Sequence, residues 1–574
     1  MILHAYSGEH SMIRPMFQAT QKGQEGDTRE TTSRDEGVPA SNTRLRVVSG
    51  IHASEGSPFD RLLRRKGRPW HIGILSDFTR IPYANGAVFQ TRALYQSLHQ
   101  GGHRATLIGP RDPESRPGDV PPGTIELPSL PLHTYRGVHL PVPLAPEVFD
   151  PKRYDFDLCF AQTNSLLLEL GVWMRKQRGI PLLCVNTTHL AAAYDVLLPE
   201  RLSRTRAIHA ALHATLRQPV EQTFVRLYNE SDGLIVLSET LESYWRERGV
   251  KVPIFVIERT VPPEIFSRPR GADPYAPLLR ARGLPEDSHR LVNAGRMTRE
   301  KEQHRLLRIF ARYIAPYATD AVLFLVGDGP DTLAYQKLAR QLGVARQVIF
   351  TGEVSQKQIP DFHRWSTLFL HTSRSETFGN VLSEALWCGA SVVAFADGMG
   401  VSSQIRDGLN GLLIDPGDRG DPSEGDAAFG RAVLALLANP ERRQPLGQRA
   451  ARMATQRYAP EVIQEKMVDA FLAASDHAAS AGLWPLTRGP KALSLLHTAR
   501  HFQRWTTYMG GLYLCGHLRP VLLLSSTPMF TLGSASSCSV PWSFPWLNWL
   551  PGALGLFFSP PSPPYWPAGV SHGA

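Results

Sequence analysis

The sequence predicts an α/β protein made of two doubly wound halves that face a cleft, and three observations carry that prediction. The chain has 574 residues, too many for one hydrophobic core when domains usually run to roughly 100–200 residues. Short apolar runs alternate with longer stretches of helical spacing, and the alternation occurs in two series, which predicts parallel strands with helices on both faces. Between the series, proline and glycine accumulate in VPPEIFSRPRGADP, residues 261–274, as expected of a linker.

Residues 1–68 are polar, rich in Gly, Ser and Thr, and weakly periodic; they are expected to be disordered because they bury too little apolar surface to offset ordering. A first domain is expected over 69–265. HIGILSD reads as its opening strand, FTRIPYANG as a loop, and AVFQTRALYQSLHQGG as a helix ended by paired glycines. RATLIG, FDLCFAQ, IPLLCVNTT and GLIVLS follow as strands, with helices at SLLLELGVWMRKQRG and from about Arg201 to Glu230. A second domain, 266–475, repeats the pattern through HRLVNAGR, AVLFLVGDGP, QVIFTGE, TLFLHTS, ASVVAF and GLLID, and closes on a helix. The remainder, 476–574, is an apolar, Pro-rich extension: from Pro520 to Ala574 there is no Asp, Glu, Lys or Arg. Prolines inside PWSFPWLNWLPGALGLFF oppose a membrane-spanning helix, which needs ~20 apolar residues. An interfacial segment and a non-native extension both fit.

Composition is that of a globular protein, 42% hydrophobic and 20% charged. The formal charge of +10 favours an anionic partner: a nucleic acid, a phospholipid surface or a phosphorylated small molecule. Five cysteines without a CxxC pair point to a reducing compartment and no structural zinc. The first residues lack a basic head and apolar run, so a cytoplasmic location is expected.

The chemistry centres on SETFGNVLSEALWCGA, residues 375–390. The strand TLFLHTS delivers the chain to Glu376 in a loop, and Glu384 falls about one turn inside the following helix. Between them the amides of Phe378, Gly379 and Asn380 form a helix start, whose unpaired N–H groups and partial positive charge suit a phosphate. Carboxylates on either side can accept hydroxyls from a sugar at one end and a ribose at the other, which is the shape of a nucleotide sugar. Alone, the pair also fits a solvated helix position and an N-terminal dipole partner. NAGRMTREK places Arg296 and Lys301 after another strand of the same half, where a guanidinium and an ammonium can offset a pyrophosphate.

Arg296 and Lys301, with Glu376 following Lys301 by 75 positions and Glu384 eight further on, make a spacing that resembles glycosyltransferase family 4. The resemblance covers His71 to Ala473. It includes VGDGP, IFTGEV, DGLNGLL and RYAPEVIQEKMVDAF in the second half, and IPYANGAV and GIPLLCVNTTH in the first. It implies a GT-B fold of two Rossmann-like domains, an activated sugar bound mainly by the second, and transfer with retained anomeric configuration, without metal or cofactor. The implied donor is a nucleotide-diphosphate sugar, with a UDP-hexose favoured. Carried over by position, Arg296 and Lys301 hold the diphosphate, Glu376 the transferred sugar and Glu384 the ribose hydroxyls. Gly295, Phe378, Gly379 and Asn380 line the donor site, and backbone around Glu353 and Val354 meets the base. Gly86 lets the first loop approach the phosphate, where a side chain would obstruct it. Catalysis is then leaving-group stabilisation; a glycosidase-like carboxylate pair is the competing reading, but it leaves the cationic loop without a role.

Three departures qualify the resemblance. Asn85 replaces one of the paired glycines common in the first loop. Thr187 stands where a histidine usually follows the strand, and His189 comes two residues later; it fits a contact to sugar or acceptor and equally an ordinary loop histidine. ERTVPPEIF replaces the usual linker turn and leaves Arg259 in the cleft without an assigned role. Asp155-Phe156-Asp157 spells a D-x-D motif but leads into a strand and makes a weak cation site.

The acceptor is less legible. Arg201, Arg204, Arg206 and Arg217 among apolar residues fit an anionic lipid surface, and also a packed amphipathic helix with a solvated basic face. THLAAAYDVLLP with that basic region resembles bacterial diacylglycerol glycosyltransferases. The expectation is a peripheral enzyme on the cytoplasmic face of a membrane, moving glucose or galactose to a glycerolipid. A soluble or polysaccharide acceptor, and a non-catalytic nucleotide- or nucleic-acid-binding protein, are the alternatives; the lack of an aromatic-basic stacking platform argues against nucleic acid.

Overall fold

A computed structural model describes residues 57–80, 86–116, 118–131, 139–141, 146–163, 167–187, 218–417, 421–482, 498–501 and 503. Order begins before Trp70, which corrects the expectation for residues 57–68. Helix α1 (Asp60–Lys66) is pinned because Phe59 and Leu62 are apolar enough to enter the core. The Trp70 indole N–H donates to the Leu62 carbonyl at 2.7 Å, and His103 bridges the Trp70 amide and the Phe59 carbonyl at 3.0 Å each.

The first lobe is built on β1 (His71–Ser76), α2 (Gly86–Gln100), β2 (Arg104–Pro110) and β3 (Ile125–Leu127), followed by a two-stranded ribbon of β4 (Ser129–Pro131) and β5 (His139–Pro141). It continues with β6 (Leu158–Gln162), α3 (Leu167–Arg178), β7 (Leu182–Val185), α4 (Gln218–Asn229), β8 (Gly233–Val236) and β9 (Ile254–Val256). Its seven-stranded sheet runs in the order β3-β2-β1-β6-β7-β8-β9, every pair parallel. The central strands are buried along their whole length, which is why they read as continuous apolar runs rather than alternating ones.

The second lobe repeats the plan with β10 (His289–Ala294), α5 (Gln303–Ile309), β11 (Ala321–Val326), β12 (Val348–Gly352), β13 (Leu368–His371), α6 (Asn380–Trp387), β14 (Val392–Phe395), α7 (Gly400–Gln404) and β15 (Leu412–Ile414). Its six parallel strands run β12-β11-β10-β13-β14-β15. The order reverses between β10 and β13, and in such sheets the crevice at the carboxyl ends of the strands flanking the reversal is where ligands bind. Asn293 in β10 donates its side-chain amide to the Leu370 carbonyl of β13 at 2.8 Å, fixing the two strands at that point.

Helix α8 (Pro440–Arg457) leads into α9 (Pro460–Ser480). This closing helix packs on the first lobe: Ile463, Val468 and Phe471 join Ile72, Phe160 and Leu183 in one cluster, with Phe160 and Phe471 edge to face at 5.8 Å. Glu258, just after β9, receives Arg457 Nε at 2.9 Å and Lys466 Nζ at 2.6 Å. The linker is therefore gripped by α8 and α9 together. Further on, the Trp173 indole donates to Thr498 Oγ1 at 3.2 Å, and His501 Nδ1 lies 3.1 Å from Glu169, so this part of the 476–574 extension lies on α3. Its apolar Trp/Pro stretch lies outside the described residues, as do Asn85, His189, Arg201, Arg204, Arg206 and Arg217. Among the described residues no helix is long and apolar enough to cross a membrane.

Candidate active site

Two loops leave the switch point of the second lobe side by side. The loop after β10 carries Gly295, Arg296 and Lys301; the loop after β13 carries Glu376 and turns into α6. Lys301 Nζ sits 2.6 Å from Glu376 Oε1, and His371 Nε2, from the last residue of β13, approaches the same oxygen at 3.5 Å. Burial alone would raise the Glu376 carboxyl pKa, but the Lys301 charge and the contact with His371 outweigh it and hold the group well below the usual carboxylate range. Glu376 is thus an anion at neutral pH.

The start of α6 is set by Gly379, whose φ of 85° is left-handed and suits a residue without Cβ. The amides of Asn380 and Val381, the first two of α6, have no acceptor within the helix and carry its partial positive charge. A second glycine holds this loop from behind: a Cβ on Gly400 would fall 2.6 Å from the Glu376 carbonyl oxygen and 2.7 Å from Phe378 N and Cα. Close approach lets the Gly400 amide donate to the Glu376 carbonyl at 3.0 Å, and Gln404 donates to the Phe378 carbonyl.

The first lobe reaches the same place through Arg259. Its guanidinium makes long hydrogen bonds of 3.4 Å to Asn380 Oδ1 and to the Thr187 carbonyl. Burial lowers its pKa to about 10, with the Glu376 charge acting in the opposite direction; it stays cationic at neutral pH. The residue whose role the sequence left unassigned thus ties α6 to the end of β7.

The other candidates lie apart from this cluster, on both lobes. Arg296 is exposed, and among the described residues its guanidinium makes no side-chain hydrogen bond or ion pair. Glu353 is exposed, and Val354 packs against the core at the end of β12. Glu384 lies on α6, where burial pushes its carboxyl up to about 8. Gly86 opens α2. Asp157 of the D-x-D motif is occupied structurally, accepting from Lys66, Arg68 and the His71 amide at 2.6–2.9 Å. Sequence reasoning missed His371 and Gly400. For His371 the available signal was a polar residue closing an otherwise apolar strand; for Gly400 the sequence carries none, because the contact joins elements remote in the chain.

Two facing doubly wound parallel sheets, with acidic and cationic groups converging at the switch point of one, define the GT-B class of glycosyltransferases. The family described as Glycosyltransferase Family 4 matches residues 84–265, and that described as Glycosyl transferases group 1 matches 278–453. D-inositol 3-phosphate glycosyltransferase of Thermomonospora curvata is 30% identical over 354 residues, covering 58% of this chain and 76% of the relative. Alpha-monoglucosyldiacylglycerol synthase of Streptococcus pneumoniae is 26% identical over 380 residues, covering 64% of this chain and 79% of the relative. Among solved structures, Anabaena HepE in complex with UDP superposes with a TM-score of 0.53 at 20% identity, over 70% of this chain and 98% of that one. The chain belongs to glycosyltransferase family 4.

Proposed function

We propose that the protein transfers a hexose, glucose or galactose, from a nucleoside-diphosphate sugar to a lipid acceptor such as diacylglycerol at a membrane surface, with retention at the anomeric carbon. The observation that carries the reading is the meeting of Lys301 and Glu376 at 2.6 Å beside the start of α6, with Arg259 entering from the other lobe. Lys301, Arg296, Arg259 and the first amides of α6 supply fixed positive charge to a diphosphate, so no divalent metal is required. Glu376, held ionised, accepts from hydroxyls of the transferred sugar. Glu384 meets the ribose, and the end of β12 at Glu353 and Val354 meets the base.

In the transfer, the bond from the anomeric carbon to the β-phosphate oxygen breaks and its electron pair stays on the phosphate. The acceptor oxygen bonds to the same face of that carbon, and its proton passes to the departing phosphate oxygen. Two observations favour a lipid acceptor. One is the relative whose name specifies a glucosyldiacylglycerol product. The other is a cavity of about 290 Å³ between the first lobe and α9, lined by apolar residues such as Leu94, Phe160, Ile463 and Met467 and by polar ones such as Gln90, Gln162, Glu258 and Arg259; an amphiphile is the chemistry such a mixed wall suits.

The test is incubation with UDP-, GDP- and ADP-hexoses against diacylglycerol in anionic vesicles and, separately, soluble acceptors including inositol phosphate. An α-linked glycolipid from an α-linked donor, formed undiminished with a chelator present, is the expected product. Transfer to soluble acceptors alone overturns the lipid assignment, and a β-linked product overturns retention.

A further inference from the structure

Among the described residues, Glu302 is the one non-glycine residue with positive φ, at φ 53° and ψ 28°. It directly follows Lys301. A side-chain-bearing residue adopts this left-handed conformation at a cost in free energy, which persists only where the surroundings enforce it. Glycine, or asparagine, would make the turn more easily.

The enforcing group is Arg374, two residues before Glu376. Its guanidinium grips the buried Glu302 carboxylate with two hydrogen bonds, Nε at 2.8 Å and Nη2 at 2.5 Å, a paired geometry that fixes orientation as well as distance. Hydroxyls of the same loop extend the stitching. Thr372 Oγ1 donates to the Glu302 carbonyl at 3.3 Å, while Ser373 and Ser375 Oγ donate to the Glu300 carbonyl at 3.2 and 3.5 Å. Lys301 is therefore anchored on both sides, residue 300 and residue 302, by the loop that carries Glu376.

We propose that Arg374 and Glu302 form a positioning clamp that sets the Lys301 ammonium against Glu376 and the donor diphosphate. Neither need touch substrate. The Arg374 guanidinium commits Nε and Nη2 to the Glu302 carboxylate, and Glu302 acts through the backbone kink it imposes on its neighbour. Loss of the clamp frees the Lys301 loop to drift, and a misplacement of about 1 Å costs up to about a hundredfold in rate. The inference rests on the reading of Lys301 as a diphosphate ligand.

The experiment uses the full chain with two readouts, UDP affinity by calorimetry and turnover of UDP-glucose, alongside thermal melting. In E302G the backbone strain is relieved but the Arg374 guanidinium is left without its buried carboxylate, so melting is expected to fall, while turnover, assayed where the variant is fully folded, falls roughly tenfold or more. The loss of turnover in a fully folded variant is what a merely structural role would not produce. R374K, which keeps the charge but loses the paired geometry, should recover part of the loss seen in R374M. On a K301M background, R374M should cost little further, because the clamp then has no lysine to position. E302G with wild-type turnover and UDP affinity overturns the clamp, as does an R374M penalty that is fully additive with K301M. A wild-type chain that binds no nucleoside diphosphate overturns instead the site reading beneath it.

Discussion

Replacing Lys301 with methionine separates two consequences of one ion pair. Glu376 has a side chain only 9% exposed, and its partner at 2.6 Å is 32% exposed. Removing one member of a buried pair costs about 3–5 kcal/mol because the other charge is left uncompensated. The partial solvation of Lys301 and the remaining contact with His371 reduce this to about 2 kcal/mol. Unfolding entropy scales with chain length, so for a molecule of this size each kcal/mol lowers the melting temperature by about 1 °C, and K301M should melt roughly 2 °C lower by calorimetry. Turnover should fall about 10²–10³-fold, as when one preorganised donor to a developing charge is lost. The double variant K301M/E376Q removes the orphaned charge as well: it should recover most of the stability and none of the turnover. The pH dependence has a definite sign. A carboxyl with a depressed folded pKa contributes stability above its unfolded value of about 4.3 and loses it as the solution is acidified below that, so wild type and K301M should converge in stability under acid. K301M with turnover within about threefold of wild type would refute the placement of Lys301 at the leaving group. A double variant as unstable as the single would refute the orphaned-charge reasoning.

Further outcomes follow from neighbouring contacts. With the Glu384 carboxyl raised to about 8 by burial, a ligand whose ribose hydroxyls need the ionised form must expel a proton when it binds at pH 7. UDP affinity should rise as pH approaches 8 and then level, with proton release measurable by calorimetry in buffers of different ionisation enthalpy; E384Q should flatten the profile. Gly400→Ala forces a Cβ to 2.6 Å from the Glu376 carbonyl oxygen, so the loop carrying Glu376 must shift, at a cost of about 1–3 kcal/mol in unfolding free energy and, on the proposed reading, a fall in turnover. Glu258→Ala leaves Arg457 and Lys466 facing one another without their shared carboxylate. The pair is partly solvated, so a loss of about 1–2 kcal/mol is expected, together with a larger radius of gyration in small-angle scattering; an unchanged radius would show that other contacts set the lobe separation.

The fold was legible where burial is uniform. Central strands such as Leu158–Gln162 and Ala321–Val326 are buried at every position, so apolar runs announced them, and runs separated by helices announced parallel pairing. Legibility failed where an element's partner lies far along the chain. The family likeness of RYAPEVIQEKMVDAF marks a closing helix, yet its residues say nothing of the fact that Ile463, Val468 and Phe471 pack on the first lobe. Residues 57–67 failed for a related reason: two apolar anchors, Phe59 and Leu62, suffice when Trp70 and His103 are waiting for them, and two residues in a polar stretch make no periodic signal.

The candidate site divides along the same line. Lys301, Glu376 and the start of α6 could be placed together from sequence because each follows a strand of one sheet, and strand ends on a parallel sheet share an edge. What could not be read is how their charges are held. Glu384 looks like any helical glutamate until packing around α6 takes part of its solvent away, and Arg259 looks like a linker residue until Asn380 and the Thr187 carbonyl appear on either side of it. Glu302 is the sharpest instance. Its side chain type argues against the left-handed backbone it adopts, and only the position of Arg374, 72 residues later, makes that backbone tenable. Where a local rule is broken and a distant residue compensates for it, the compensation locates the constraint: here, the orientation of the Lys301 ammonium toward Glu376 and, in the proposed reaction, toward the departing diphosphate.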